Sequence, residues 1–440
     1  MKLFSFIGGV HPPERKYFTE NYKIENFPAS KINYVSTLQH IGVITESLVE
    51  KGDIVKKGQK IAESKAFLSA PVHSPVSGKV LSVESHVFPV NGKVLTIVIE
   101  NDFKETEEEY EKIENYKEKT KEELLDKVRS MGVVGQGGAT FPTHIKLNPP
   151  ADAQIDTLII NGAECEPYLN SDNRVMIEKA DEVVEGIKIM MHILKVEKAV
   201  IGIEKNKKEA IEKIKKAIEN ENRISVACLE TKYPQGGEKQ MIKAILNRTV
   251  PAKKLPSEVG VVVQNISTAY EVYRAVVLGK PLIERVVTVS GKGVSNPKNL
   301  NIRIGTLFKD VLEYCGFDEK ITEKIVMGGP MMGLAQFTTE VPTVKGTSGI
   351  LALTKEELNE CRAKSCISCG KCVEVCPMNL TPLMFAQYGR KEMWQEMERY
   401  NLMDCIECGS CAFICPSKRP LTEAIKIGKA KIRTMNLNKK

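Results

Sequence analysis

Two runs of cysteine near the C-terminus are the residues best suited to chemistry. The first is Cys366-Ile-Ser-Cys369-Gly-Lys-Cys372-Val-Glu-Val-Cys376-Pro377, and the second is Cys405-Ile-Glu-Cys408-Gly-Ser-Cys411-Ala-Phe-Ile-Cys415-Pro416. Every cysteine of the second stands 39 residues after its counterpart, an internal repeat of ligand spacing. Three thiolates this close, with a fourth just ahead of a proline, suit a pair of [4Fe–4S] cubes, each held by three near thiolates of one run and the last thiolate of the other. The spacing thus assigns Cys366, Cys369, Cys372 and Cys415 to one cube and Cys405, Cys408, Cys411 and Cys376 to the other. Zinc is the alternative, but its sites pair two thiols with two more at a distance and need neither a third close cysteine nor Cys-Pro. Cys361 falls outside the spacing. Cys228 and Cys315 are isolated and read as core thiols, and Cys165 stands between two carboxylates, Glu164 and Glu166.

Clusters alone make a wire, so the next question is what loads it. Residues 132–146 contain Gly135-Gln-Gly137-Gly138 and end on Lys146. A glycine loop lets backbone N–H groups approach a phosphate or a flat ring closely, and Lys146 offers a counter-charge. The loop lacks the last glycine of a dinucleotide fingerprint and follows a helical stretch where that fingerprint needs a strand. Three further pieces are Asn161-Gly-Ala-Glu164-Cys-Glu166-Pro, Tyr233-Pro-Gln-Gly236-Gly-Glu238 and Gln264-Asn265. The first and last directly follow apolar, strand-like runs, and ligands of open α/β sheets gather at carboxyl ends of strands. The plainer alternative is that all four are surface turns.

The elements that must position these residues change character along the chain. Residues 39–83 read as short β segments punctuated by Gly42, Gly52, Gly58 and Gly78, the pattern of a small β sandwich. It is similar to biotinyl and lipoyl barrel-sandwich domains, although Ser64-Lys65-Ala66 departs from their modified hairpin and is expected to stay unmodified. The Glu- and Lys-rich residues 101–126 read as a solvated connector or surface helix. Strand-like runs at 157–160, 199–203, 224–227 and 260–263 then alternate with helical patterns such as Val183, Val184, Ile187, Met190, Met191 and Leu194, which argues for a parallel α/β layer. Residues 285–315 return to β runs followed by one helix and resemble a β-grasp SLBB unit. From about Thr354 the chain is helical, with a helix predicted to open at Pro382 and run to about Arg399. The expected fold is multidomain α/β plus β, divided into an N-terminal arm and barrel sandwich (1–100), a charged linker (101–117), an α/β domain carrying the glycine loop (118–272), a β-grasp SLBB domain (273–345) and a helical ferredoxin-like domain with two [4Fe–4S] clusters (346–440).

The chain has 440 residues, 12 cysteines and a formal net charge of +7. Residues 417–440 carry eight Lys/Arg against one acid, so the rest is close to neutral and a nucleic-acid-coating surface is not expected. That tail reads either as a solvated end or as a contact for anionic lipid or an acidic partner. No run approaches the ~20 apolar residues of a membrane span, and the start has no export pattern, which predicts a cytoplasmic protein.

The order of the glycine loop, Asn161 to Glu166, Tyr233 to Glu238 and Asn265 resembles the FMN- and NADH-binding subunit of respiratory complex I. Together with Phe6-Ile-Gly-Gly-Val-His11-Pro12, the sandwich, Gly328-Gly-Pro-Met-Met-Gly333 and the twin cysteine runs, the whole chain resembles the RnfC component of Rnf ion-translocating electron transport complexes. That resemblance implies a noncovalent FMN surrounded by Gly135, Gly137, Gly138, Lys146, Asn161, Glu164, Tyr233, Gly236, Glu238 and Asn265, with Glu166 as the catalytic group beside the nicotinamide. It also implies hydride exchange with NAD(H), single electrons through the two clusters, and Na+ or H+ transport coupled to ferredoxin:NAD oxidoreduction in other subunits. The protein would sit peripherally on the cytoplasmic face of the membrane, against membrane and peripheral Rnf subunits and indirectly serving ferredoxin. Two positions depart from the complex I pattern, Ala163 and Gly237, and each lacks a carboxylate expected there. A cobalamin reductase of propanediol-utilising microcompartments shares the same parts, and a non-enzymatic iron–sulfur relay would need only the clusters.

Overall fold

The computed structural model describes residues 2–90, 92–358 and 362–437; Cys361 lies outside them. The N-terminal sandwich pairs an antiparallel sheet of strands 32–36, 93–101, 78–87 and 54–55 with a small sheet of strands 46–47, 60–63 and 72–73. Alternate residues of these strands meet in a core that includes Val35, Val55, Ile61, Val80, Ile97 and Ile99, as a period-2 pattern requires.

The central layer is a four-stranded, wholly parallel sheet in the order 224–229, 199–204, 157–162, 261–265. Its strands are apolar on both faces because both are covered. Leu158 and Ile160 pack with the helices Ala180–Leu194 and Ile266–Val276, while Ile159, Val261 and Val263 pack with Met241 and Ile242 of Glu238–Leu246. The helix at 180–194 buries the periodic Val183, Val184, Ile187, Met190 and Met191. Gly186 lets it lie directly against the helix at 266–276: a Cβ there would stand 1.8 Å from the Ala269 carbonyl oxygen. This contact fixes the helix whose first turn borders the site.

The β-grasp sheet is larger than the sequence suggested. It runs 24–26, 298–303, 284–290, 349–354, 322–327, 334–336, so it reaches back to the N-terminal arm and forward past the expected boundary at 345. Strand 349–354 is central, parallel to 284–290 and antiparallel to 322–327, and all six of its residues are buried. Such a pairing is set by tertiary contact and leaves no local mark in the sequence.

Two other expectations change. The helix opening at Pro382 ends at Arg390 and a second one covers Trp394–Arg399. Between them Glu392 takes a left-handed conformation and the Met393 amide donates to the Tyr388 carbonyl, which folds the second helix back and buries Met397 among Phe385, Leu402 and Ile425. The basic tail, in turn, is a helix over Leu421–Leu437. It buries Leu421, Ile425 and Ile432, and Lys429 Nζ donates to the Cys405 carbonyl (2.5 Å) and pairs with Glu407 (2.8 Å).

The connector between sandwich and α/β layer is mostly exposed and leads into a surface helix from Lys121, as expected, and it is also clamped to the β-grasp unit. Glu105 receives both Arg303 guanidinium nitrogens at 2.7 Å and Lys57 at 2.9 Å, and the Arg303 bonds above all hold its carboxyl down at about 2. At the junction of all three β units Lys345 is fully buried, its Nζ donating to the carbonyls of Pro71 (2.8 Å) and Gly132 (2.6 Å). Burial lowers its pKa to about 7. The unfolded chain, near 10.4, therefore binds more protons between pH 7 and 10, so stability rises with pH across that window by up to about 1.4 kcal/mol per unit. Urea midpoints measured against pH should lose this increment in Lys345→Met.

Candidate functional site

The sequence-predicted residues converge at the carboxyl ends of the parallel strands. Asn161 lies near the end of strand 157–162; its Nδ2 donates to the Gly236 carbonyl (2.8 Å) and its Oδ1 accepts from the Ala163 amide (3.1 Å). Asn265 ends strand 261–265 and caps the following helix, Oδ1 accepting from the amides of Ser267 (2.8 Å) and Thr268 (3.2 Å), the usual service of an Asn at this position. The glycine loop is hung over these ends. The Gly135 amide donates to the Phe141 carbonyl, the Gln136 amide to Thr268 Oγ1 (2.9 Å), and buried Arg285 donates to the carbonyls of both Gln136 and Lys345. Gly137 and Gly138 are left exposed at its tip.

Two predicted contacts have partners inside the protein. Lys146 is paired with Glu238 (2.6 Å), so its charge is shared before any phosphate arrives. Glu164 caps the helix Ser171–Glu178, accepting from the amides of Asp172 (2.8 Å) and Asn173 (3.1 Å) and from Ser171 Oγ (3.2 Å).

Sequence reading missed three residues here. Asp172 accepts from Asn265 Nδ2 (2.7 Å) and Ser267 Oγ (2.5 Å). Loss of solvent, then the nearby Glu164 charge, push its pKa up to about 6. Gln235 and Gln264 are buried, and both amide atoms of Gln235 and Nε2 of Gln264 have no hydrogen-bond partner among the described residues. Both glutamines lie inside the motifs, and that placement was the available signal; Asp172 lay outside every motif.

These features fit a flat, amide-bearing ring. A Cβ at Gly137 would come within 3.3 Å of Asn265 Nδ2 and one at Gly236 within 3.4 Å of Asn161 Nδ2, so glycine keeps the cradle open where a ring must approach backbone. The unpaired amides of Gln235 and Gln264 offer the polar partners that buried groups require.

Glu166 follows the strand end and lies against the loop at 328–333. Its carboxylate accepts from the amides of Met331 (3.0 Å) and Met332 (2.9 Å) and from the Tyr233 hydroxyl (3.4 Å), and burial raises it to about 7. It is engaged by the 328–333 loop, where Gly329 is required because a Cβ would stand 2.2 Å from Glu166 Oε2. Tyr233 is buried too, and its hydroxyl sits 2.8 Å from the Cys408 carbonyl.

The eight spaced cysteines line two separate cavities. One has Cys376, Cys405, Cys408 and Cys411 on its wall; the other has Cys366, Cys369, Cys372 and Cys415. Each therefore draws three thiols from one run and one from the other. Backbone amides already point at sulfur, from Leu380 to Cys376 (3.3 Å), Ser368 to Cys366 (3.4 Å) and Glu407 to Cys405 (3.4 Å), the hydrogen bonding that tunes cluster potentials. Four thiols about one cavity, with amide donors to sulfur, fit a [4Fe–4S] cube. Gly370 and Gly409 have positive φ (+76° and +79°), which turns the chain between second and third ligands. Of the remaining cysteines, Cys228 and Cys315 are buried, and Cys165 accepts from the Gly236 amide (3.4 Å).

A parallel α/β layer with an open glycine cradle, joined to a helical unit with two four-thiol cavities, defines an iron–sulfur flavoprotein built for electron transfer. Comparison with known proteins agrees domain by domain. Residues 128–274 match the Nuo51 FMN-binding domain, 4–104 the RnfC barrel sandwich hybrid domain, 286–335 the SLBB domain and 365–418 a 4Fe-4S dicluster domain. The chain is 49% identical to the C component of the proton-translocating ferredoxin:NAD(+) oxidoreductase complex of Clostridium ljungdahlii, over 98% of this chain and 94% of that one. It is 45% identical to the C component of the Na(+)-translocating complex of Acetobacterium woodii, over 98% of both chains, and 42% identical to that of the ion-translocating oxidoreductase complex of Rhodobacter capsulatus, over 87% and 74%. The chain belongs to this RnfC family, the C components of ion-translocating ferredoxin:NAD(+) oxidoreductase complexes.

Proposed function

We propose that this chain is the NAD(H)-facing electron-transfer subunit of a membrane-bound ferredoxin:NAD+ oxidoreductase that moves Na+ or H+. The observation that carries the reading is the joining, in one chain, of an open cradle at the strand ends to two four-thiol cavities, one of them packed against the cradle's own Tyr233. Bound FMN would supply the exchange between the paired electrons of a hydride and the single electrons that each [4Fe–4S] cluster carries.

The protein's own contribution is placement. Gly135, Gly137, Gly138 and Gly236 would admit a flavin; Asn161 and Asn265 hold the cradle walls; and the unpaired amides of Gln235 and Gln264 would be available to its polar atoms. Asp172, Glu164 and Lys146 with Glu238 set the local charge. Cys366, Cys369, Cys372 and Cys415 would hold one cluster, and Cys405, Cys408, Cys411 and Cys376 the other. Glu166 and Tyr233 join the cradle to the cluster unit and to the 328–333 loop. No helix among the described residues is long and apolar enough to cross a membrane, which is consistent with a peripheral place on the cytoplasmic face, against the membrane subunits that carry the ion and connect to ferredoxin.

Purified chain reconstituted anaerobically with iron, sulfide and FMN is expected to retain one flavin and two clusters, and NADH should bleach the flavin band. Full cluster loading with no retained flavin and no bleaching would leave only a relay of electrons.

A further inference from the structure

We infer that Lys16 of the N-terminal arm is the positioning residue of the acid-bearing loop 164–169: its ammonium fills a cage of three backbone carbonyls, as a bound monovalent cation would, and thereby aims Glu164 and Glu166 at their separate partners.

The cage uses every donor the side chain has. Lys16 is buried, and its Nζ donates to the carbonyls of Glu164 (2.8 Å), Glu166 (3.0 Å) and Leu169 (2.5 Å). An ammonium has three donors, so all go to the loop backbone and none to a carboxylate. Burying an ammonium away from a carboxylate is unfavourable, and burial, followed by the Lys207 charge, lowers the pKa of Lys16. A methionine would fill the same space without that penalty, so the use of a lysine here lies in its donors. Lys207 reaches the Glu164 carbonyl only at 3.5 Å and is paired with Glu204 (3.1 Å), so it does not replace Lys16.

The loop has a shape that needs such a centre. Glu164 and Tyr168 both take left-handed conformations (φ 46° and 68°), which residues with side chains hold only where the surroundings impose them. The arm closes around the loop from the other side: the Tyr168 amide donates to the Glu14 carbonyl (2.9 Å), and Asn170 Nδ2 donates to the Lys16 carbonyl and to Thr19 Oγ1 (2.8 Å each). Phe18 stacks on Tyr168 with ring centroids 5.9 Å apart.

Because the ammonium takes only backbone oxygens, both carboxylates stay free for other partners. Glu164 accepts from the amides of Asp172 and Asn173, capping the helix whose Asp172 accepts from Asn265, while Glu166 accepts from the amides of Met331 and Met332. A single cysteine separates the two acids in sequence, yet the cage sends one to the cradle wall and the other to the 328–333 loop. The value of this aim to electron transfer rests on the reading above; the geometry does not, since every partner belongs to this chain.

Hydrogen exchange followed by mass spectrometry on the full chain, reconstituted as above, tests the cage at the amides of Asp172, Asn173, Met331 and Met332. Lys16→Met should raise exchange at all four by about tenfold or more, the effect of losing a hydrogen bond to a charged group, while the helix at 180–194 keeps its protection. In Lys16→Ala, ammonium chloride should enter the vacated cage and return protection toward that of the unaltered chain; tetramethylammonium chloride at equal concentration, which has no N–H donor, should not. Where Lys16→Ala fails to retain iron, Lys16→Gln, with two donors and no charge, takes its place and should protect the four amides better than Lys16→Met. Unchanged exchange in Lys16→Met, a loss in Lys16→Ala that ammonium does not reverse, or equal loss in the glutamine and methionine variants overturns the cage and leaves Lys16 a packing residue. An unaltered chain that retains no flavin would instead count against the flavin reading and leave the exchange test in force.

Discussion

Gly137→Glu is expected to abolish FMN retention while iron content stays at that of the unaltered chain. Gly137 is exposed at the tip of the loop, and its Cβ position lies 3.3 Å from Asn265 Nδ2 and 3.6 Å from the Cβ and Cγ of that side chain. A glutamate there fills the opening and adds a third acid beside Glu164 and Asp172, where a phosphate-bearing ligand must enter. The helix cap itself survives, because Asn265 holds it through Oδ1. The cluster cavities have their own core around Phe385, Met397, Leu402 and Ile425, so iron loading has no reason to change. Gly137→Ala should have a much smaller effect, since a methyl group at these distances asks for a shift of only tenths of an ångström. Flavin fluorescence after release and iron assay on the same samples measure both quantities. Retained flavin in Gly137→Glu would show that the loop does not border the binding site.

The second large effect is expected at Arg285. It is buried, forks to the carbonyls of Gln136 and Lys345, and is close enough to attract the charges of Asp172, Glu271 and Glu164, yet burial lowers even its pKa to about 10. Arg285→Leu leaves two buried carbonyls without donors, at roughly 1–3 kcal/mol each, and strands the acids it faced. A loss of about 3–5 kcal/mol is the expected sum for removing one partner of such a buried charged arrangement, read from the urea midpoint of the α/β and β-grasp units. Because Arg285 holds the Gln136 carbonyl, the variant should also lose flavin. Arg285→Lys should recover only part, since one ammonium cannot reproduce the planar fork between two chain segments. An unchanged midpoint in Arg285→Leu would mean that the fork contributes nothing to joining these units.

The chemistry of this protein was largely legible in its sequence because cluster ligation is written in short spacing. Three close thiols and a Cys-Pro mark the candidate ligands, and the repeat after 39 residues implies the exchange of the fourth thiol, the same grouping of cysteines that lines the two cavities. The parallel strands were legible as apolar runs, and the asparagines at their ends as cradle residues. The partners of Glu166 were not legible: its carboxylate accepts from amides 165 and 166 residues away, and no local pattern encodes such a partner. The tail shows the same limit: its charge pattern suggested a solvated end or a contact for anionic lipid or an acidic partner, and only the packing of Leu421, Ile425 and Ile432, at spacings of four and seven, shows a helix docked on the cluster unit.

By itself, then, the sequence determined which atoms could do chemistry: eight thiols, a glycine loop and the amides and acids after the strands. Only the tertiary structure decided their company. It joined Asp172 to Asn265, engaged Glu166 with the 328–333 loop, and set one cluster site against Tyr233 while leaving the other exposed. The division has a physical cause. Ligand spacing and strand pattern are local, whereas burial, hydrogen-bond partners and distance between redox sites are properties of surfaces that meet only when distant segments pack.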